Sequence, residues 1–441
     1  MGNHFVANDL WIPHSGTNQS TLTMQTRRQF TKFLFAGAAS AVAADGLRPR
    51  ANLFSSEDPS AHETYDLLIQ GGTVIDPGAS LRAALDVGIR DGKVVRLSPN
   101  IAPGTSRKVL SVPGKLVTPG LIDLHVHVFD GVTEAGVNAD RYCIAHGVTT
   151  AVDAGSAGFP SIAGLRKYVI DTSATRLYAL LDIGALGTVV SIKDAMKNLE
   201  WVDPQLTAKA AIANKPAVIG IKVRLSKDIA GTEDMEGLKR AREAAEASQL
   251  PMMLHIGDTN SPLPAILRLV RPGDIITHCY TPRPNGIVDQ NGKILPEVLE
   301  ARQRGVLFDV AHGAFHFGFD LAEKCLQQGF LPDSISTDLA GRSVNGPTFD
   351  LTTTISKFLL LGLTLEQALE RVTSKPAHAL SFGLELGTLK IGGVADISIL
   401  ELREGSFEFV DSLGSKRTGR QAVFGTAAIR DGKLFEPAKS S

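Results

Sequence analysis

Between residues 118 and 383 the chain repeats one pattern: a short apolar run, a few polar residues, then amphipathic helical spacing. Eight apolar runs can be read: Leu121–Leu124, Thr149–Val152, Leu177–Leu181, Val218–Lys222, Met252–Leu254, Ile275–Thr277, Val306–Val310 and Ser334–Thr337. Runs this short and apolar suit strands buried on both faces, as in parallel sheets. Parallel neighbours need crossover connections, usually helices, and Met235–Gln249 and Leu365–Thr373 carry that spacing. Eight strands with helical crossovers is the number that closes a (β/α)8 TIM barrel. An open doubly wound sheet is the alternative, but no Gly-rich phosphate turn follows the first run. The expected fold class is α/β, with the barrel over residues 118–383.

The flanks read differently. Tyr65–Gln70 and Thr73–Asp76 are strand-like runs separated by Gly71-Gly72, and Ala84–Ile89 and Lys93–Leu97 surround Asp91-Gly92. Such dipeptides mark hairpins. A matching set lies at the far end: Asp396–Leu400, Ala422–Phe424 and Ala427–Ile429, with Asp431-Gly432. Segments 64–117 and 384–435 are therefore expected to pair into one small β-sandwich, with the barrel inserted between them.

Residues 44–63 read as a polar linker, and 1–43 as an export signal. Thr26-Arg27-Arg28-Gln29-Phe30-Thr31-Lys32 resembles the bacterial twin-arginine motif, and Phe33–Ala43 follows as an apolar run. That run is too short to span a bilayer, so no stable membrane insertion is expected. Ala41-Val42-Ala43 fits a small-residue cleavage site, and Met24 offers an alternative start. The expected partner is the twin-arginine export machinery, and the expected location is periplasmic or secreted.

Charge excludes one class of function. Lys and Arg number 45 against 46 Asp and Glu, which leaves no basic field for nucleic acid. Cys143, Cys279 and Cys325 form no CxxC pair, so neither a zinc ribbon nor a disulfide framework is indicated. They read as buried apolar side chains. The expected ligand is a small molecule.

Chemistry concentrates where the apolar runs end. His125-Val126-His127 follows the first run, and residues two apart in extended chain point the same way. Both imidazoles can converge on one ion. Lys222 stands in Ile219-Gly220-Ile221-Lys222-Val223-Arg224, where a buried ammonium is costly and needs a lowered pKa or a chemical role. His255, His278 and Asp338 each follow a later run. Barrel enzymes carry their catalytic groups on this face.

These residues resemble the amidohydrolase superfamily. Pro119-Gly120-Leu121-Ile122-Asp123-Leu124-His125-Val126-His127, then Lys222, His255, His278 and Asp338, are similar to the subtype with a carboxylated lysine and two metals, as in dihydroorotases, hydantoinases and D-aminoacylases. The resemblance implies two divalent ions, with zinc favoured by the N/O donor set. It implies that His125, His127 and Asp338 hold the first ion and His255 and His278 the second. Lys222, carboxylated by CO2, would bridge them. It implies that Asp338 is the general acid/base for an amide or ester hydrolysis by metal-activated hydroxide. Such enzymes often form symmetric homo-oligomers.

Gly220–Ser226, Thr277–Tyr280, Phe308–Gly313, Ser336–Leu339 and Ser356–Leu359 resemble the amidohydrolase/deacetylase, dihydroorotase-like subgroup. That implies removal of an N-acyl or O-acyl group beside a carboxylate. A carboxylate calls for cationic or donor-rich partners: Arg224 and Arg342 are the candidates, with His312, and more weakly Tyr280 and Asn285. Two stretches depart from the subgroup pattern. Ala340-Gly341-Arg342 stands where a histidine is expected, and Phe315-His316-Phe317-Gly318-Phe319 is unusually aromatic. Both point to a bulkier or more apolar substrate. A cyclic amidohydrolase, a mononuclear deaminase and a silent binding protein on the same fold remain rival readings.

Overall fold

The computed structural model describes residues 64–189, 195–380 and 382–436. The expected export signal (1–43) and linker (44–63) lie outside them. Among the described residues no helix is long and apolar enough to cross a membrane.

Seven strands precede the barrel: β1 Leu67–Gln70, β2 Thr73–Asp76, β3 Leu81–Ala84, β4 Asp86–Arg90, β5 Lys93–Ser98, β6 Val109–Ser111 and β7 Leu116–Pro119. Seven more form one parallel sheet in chain order: β8 Leu121–Val126, β9 Val148–Gly158, β10 Arg176–Asp182, β11 Val218–Arg224, β12 Met252–His255, β13 Ile275–Thr277 and β14 Leu307–Asp309. The last three are β15 Ile397–Val410, β16 Lys416–Arg430 and β17 Lys433–Phe435.

The parallel sheet curls into the barrel. Every residue of β8, β9 and β11 is buried, as strands covered on both faces require. The first strand runs past the apolar run that predicts it, because His125 sits inside the ladder, and the fourth continues beyond Lys222 to Arg224.

The eighth run forms no continuous strand. It touches β14 through Val310 N to Ser334 O (3.1 Å), and continues with His312 N to Ser336 O (3.1 Å) and Gly313 N to Thr337 O (2.8 Å). On its other side it meets β8 through Asp123, whose carboxylate accepts from Thr337 N (3.0 Å) and Thr337 Oγ1 (2.6 Å). A side chain therefore adds to the single backbone bond there among the described residues, His127 N to Leu339 O (2.8 Å). Asp338 then leaves the extended conformation at φ 49°.

The two flanks share a body. One sheet runs β5-β4-β1-β6, and the other runs β17-β16-β15-β7-β2-β3, drawing strands from both ends of the chain. Leu67, Ile69, Val87 and Ile89 from the first pack with Val74, Val117, Ile397 and Ile429 from the second in one core. The C-terminal ribbon is longer than its apolar pattern predicts. β15 and β16 pair from Ile397↔Ile429 out to Val410↔Lys416. The stretch around Arg403-Glu404-Gly405-Ser406 is exposed, so backbone pairing and not burial holds it.

Candidate metal centre

The strand ends bring six histidine and aspartate side chains into two adjacent triads. His125, His127 and Asp338 form one, and His255, His278 and His316 the other; within each, ligand-type atoms lie within 4.8 Å of one another. Asp338 Oδ1 is 3.4 Å from His125 Nε2 and 3.2 Å from His127 Nε2. His278 Nε2 is 3.1 Å from His255 Nδ1. Donors about 2.05 Å from one tetrahedral ion stand about 3.3 Å apart, so these spacings suit shared ions. The His125 and His278 rings, one from each triad, are 5.1 Å apart.

Hydrogen bonds behind the rings aim them. Thr277 donates to Asp309 Oδ2 (2.7 Å) and so accepts from His125 Nδ1 (2.9 Å). Ala311 O can only accept, and it meets His278 Nδ1 at 2.9 Å. Each bond puts the proton on Nδ1 and leaves the Nε2 lone pair facing the cluster. His127 Nδ1 is held by Ser156 Oγ at 3.0 Å. Burial, with nearby positive charge, keeps His125, His255 and His278 well below the usual imidazole range. They are neutral donors at pH 7.

Lys222 lies between the triads, fully buried, with Nζ 3.2 Å from His125 Nε2 and 3.6 Å from Met253 Sδ. Among the described residues no carboxylate hydrogen-bonds it. Burial pushes its ammonium down to about 7, against the opposing pull of Asp338. Gly155 makes the space, since a Cβ there would stand 2.8 Å from Lys222 Cγ. Such a lysine fits loss of its charge and conversion to an oxygen donor better than it fits a structural cation. The donor set as a whole fits divalent cations of the zinc class. Backbone strain marks the same place: His278 and Asp338 both have positive φ, 67° and 49°, and non-glycine residues hold such angles where the surroundings enforce them.

A cavity of about 360 Å³ opens onto the cluster; His127, His255, His316 and Asp338 line it, with Arg224, Asp228, Arg283, Phe315 and Arg342 among the other walls. That volume suits a small-molecule ligand.

The expected substrate contacts divide. Arg342 lines the cavity. Arg224 does too, but its Nε is given to Asp182 (2.9 Å) and its Nη2 to Gly187 O (2.6 Å). Tyr280 and His312 do not reach the cavity. Tyr280 is buried with its hydroxyl donating to Phe330 O at 2.6 Å. His312 is buried against Lys357 Nζ at 2.8 Å and stacks on Phe317. Asn285 donates to Thr259 O instead. His316 is the residue that pattern reading missed. Its ring stacks 4.0 Å from His278 and lies 4.8 Å from His255, and burial takes it down to about 4. It hid inside an aromatic run; a fourth residue beyond His312 was its only signal. The three cysteines are free and buried, and burial holds the Cys279 thiol far above its usual range, unsuited to nucleophilic attack.

The amidohydrolase family profile matches residues 116–428. A deacetylase of Brucella anthropi is 32% identical over 384 residues, 85% of this chain and 90% of that one. An adenine deaminase of known structure superposes with a TM-score of 0.79 at 31% identity, covering 84% of this chain and 100% of that chain. A dihydroorotase structure follows at 0.77 and 29%, covering 84% and 99%.

Proposed function

The chain belongs to the amidohydrolase family and is a hydrolase acting on carbon–nitrogen bonds; from there we propose that it is a two-metal deacylase of acylated carboxylic acids. The observation that carries this reading is the pair of triads with a buried lysine beside them that, among the described residues, hydrogen-bonds no carboxylate. In it, His125, His127 and Asp338 hold one ion, and His255 and His278, with His316 beside them, hold the other. Lys222, once carboxylated by CO2, would supply oxygen donors to the pair of ions. Bound divalent cations supply Lewis acidity toward a carbonyl and toward water.

The chain's own groups do the rest. Asp338 faces the cavity with Oδ1 beside both first-triad imidazoles. That carboxylate takes the proton from the attacking water and returns it to the leaving nitrogen. His125, His255 and His278 compete poorly for that proton, because burial disfavours their charged forms. Burial of the cluster excludes bulk water from all but the cavity side. Arg342 on the cavity wall supports a substrate carboxylate, and the deacetylase relative supports an acyl leaving unit. The reading extends to location: Arg27-Arg28 and the apolar run behind them support export of the folded enzyme by the twin-arginine route.

The test is a hydrolysis panel on metal-loaded protein: N-acyl-D- and L-amino acids, O-acyl hydroxy acids, cyclic amides and adenine. Turnover of one acyl class, lost in Asp338→Asn, is expected, with two metals per chain. Two metals retained in Lys222→Ala without an added carboxylic acid would remove the bridge. Turnover of adenine or a cyclic amide instead, as the structural neighbours' names suggest, would replace the acyl reading.

A further inference from the structure

One wall of the cavity is built from three separate loops: Arg283 after β13, Phe315 after β14 and Arg342 after Asp338. Both guanidinium carbons lie 5.5 Å from the centroid of the Phe315 ring. Phe315 is 46% exposed and lines the cavity, so part of its ring is accessible to a ligand. Neither guanidinium forms an ion pair or side-chain hydrogen bond among the described residues, although Glu134, Asp228 and Asp338 share the lining. Arg224 of the same cavity is committed to Asp182 and Gly187.

Two guanidiniums set about one ring, neither of them in a direct ion pair among the described residues, keep their donor edges available to an anion that enters the cavity. A guanidinium presents paired donors that match a carboxylate. An exposed ring beside them offers contact area to a planar apolar group. Resting on the deacylase reading above, we propose that Arg283 and Arg342, set about Phe315, are the specificity-determining residues of the substrate's acid end. The substrate class is then an acylated acid with an aromatic side group, its carboxylate on the two guanidiniums and its ring on Phe315. Arg224 shapes the floor through Asp182 and does not read the carboxylate.

The experiment compares kcat/KM for an N-acyl aromatic amino acid, its carboxamide, and an N-acyl aliphatic amino acid. Wild type, Arg283→Gln, Arg342→Gln, the double variant and Phe315→Ala are assayed with metal content measured. The acid-over-carboxamide preference is expected to fall about tenfold or more in each single arginine variant, chiefly through KM, with metal content at the wild-type value; tenfold is about 1.4 kcal/mol. Phe315→Ala should narrow the aromatic-over-aliphatic preference. A double variant that keeps the wild-type acid preference would overturn the proposal. If no acyl acid turns over at all, the deacylase reading falls by itself, and calorimetric binding of 3-phenylpropionate decides the clamp. Binding weakened about tenfold or more in the double variant supports it, and equal binding overturns it.

Discussion

At the scale of single residues, the centre depends on what is missing as much as on what is present. A Cβ on Gly313 would overlap Asp338 Oδ2, and Gly313 has φ 54°. Gly313→Ala is therefore expected to displace the acid/base carboxylate and cut kcat at least tenfold. The left-handed backbone adds about 1–2 kcal/mol of lost stability. Gly329→Ala separates the two effects, since Gly329 shares the positive φ (78°) but faces open space; it should lose stability and keep kcat. Equal kcat losses in both would refute the positioning role. Lys357 makes a second residue-scale case. It is fully buried, donates to His312 Nε2 (2.8 Å) and Pro347 O (2.7 Å), and burial lowers it to about 7. Between about pH 7 and 10.5 the unfolded chain binds a proton there that the native chain does not. Stability from this group therefore rises with pH across that window, by at most ~1.4 kcal/mol per unit. Lys357→Met should flatten the slope of the urea midpoint against pH; an unchanged slope would refute the depressed titration. His125, His127, Lys222, His255, His278 and Asp338 were legible because each ends or follows an apolar run, which His316 does not. Tyr280 was misread because the left-handed turn at His278 breaks the alternation that would aim residue 280 like residue 278. Strand periodicity cannot see such a turn.

At the scale of elements, the barrel is fully strand-paired except at its seam. The eighth run was legible as apolar, but its pairing was not, because a carboxylate shares the joining with one backbone bridge at Leu339. Asp123 accepts from both the amide and the hydroxyl of Thr337 inside the core. Thr337→Val keeps the shape and removes the hydroxyl donor. One buried oxygen of Asp123 then loses its donor, at a cost of about 1–3 kcal/mol. The urea midpoint should fall with an unchanged m-value, and metal affinity should fall with it, because His125 and His127 flank the same seam. A variant with the wild-type midpoint would show that the seam is held otherwise. The C-terminal ribbon teaches the opposite lesson. Its inner half was legible from Asp396–Leu400 and Ala427–Ile429. Its outer half carries exposed charged residues and shows no burial pattern to read.

At the scale of the molecule, one side chain ties the barrel to the sheet built from the two chain ends. Arg176 opens β10, and its guanidinium meets Asp396 through Nε (3.2 Å) and Nη2 (3.1 Å), and Asp431 through Nη2 (2.6 Å). The side chains of Arg176 and Asp396 are 13% and 6% exposed, against 43% for Asp431. The Asp396 pair should therefore dominate, with Asp431 largely screened by solvent. Burial already raises the Asp396 carboxyl above its usual range, and Arg176 pulls it back. Arg176→Leu leaves that carboxylate buried and unpaired, and breaking such a pair costs about 3–5 kcal/mol. Without Arg176 the Asp396 carboxyl rises further above its unfolded value. The native state then binds the extra proton, so stability falls as pH climbs through that interval. The deficit of the variant should be largest near neutral pH and smaller in acid. Adding Asp396→Asn to Arg176→Leu should recover much of the loss, and adding Asp431→Asn should recover little. Urea unfolding followed by Trp201 fluorescence in the barrel and by far-ultraviolet dichroism for the whole chain measures this directly. Rescue by Asp431→Asn in place of Asp396→Asn would show that the exposed carboxylate, and not the buried one, makes the tie.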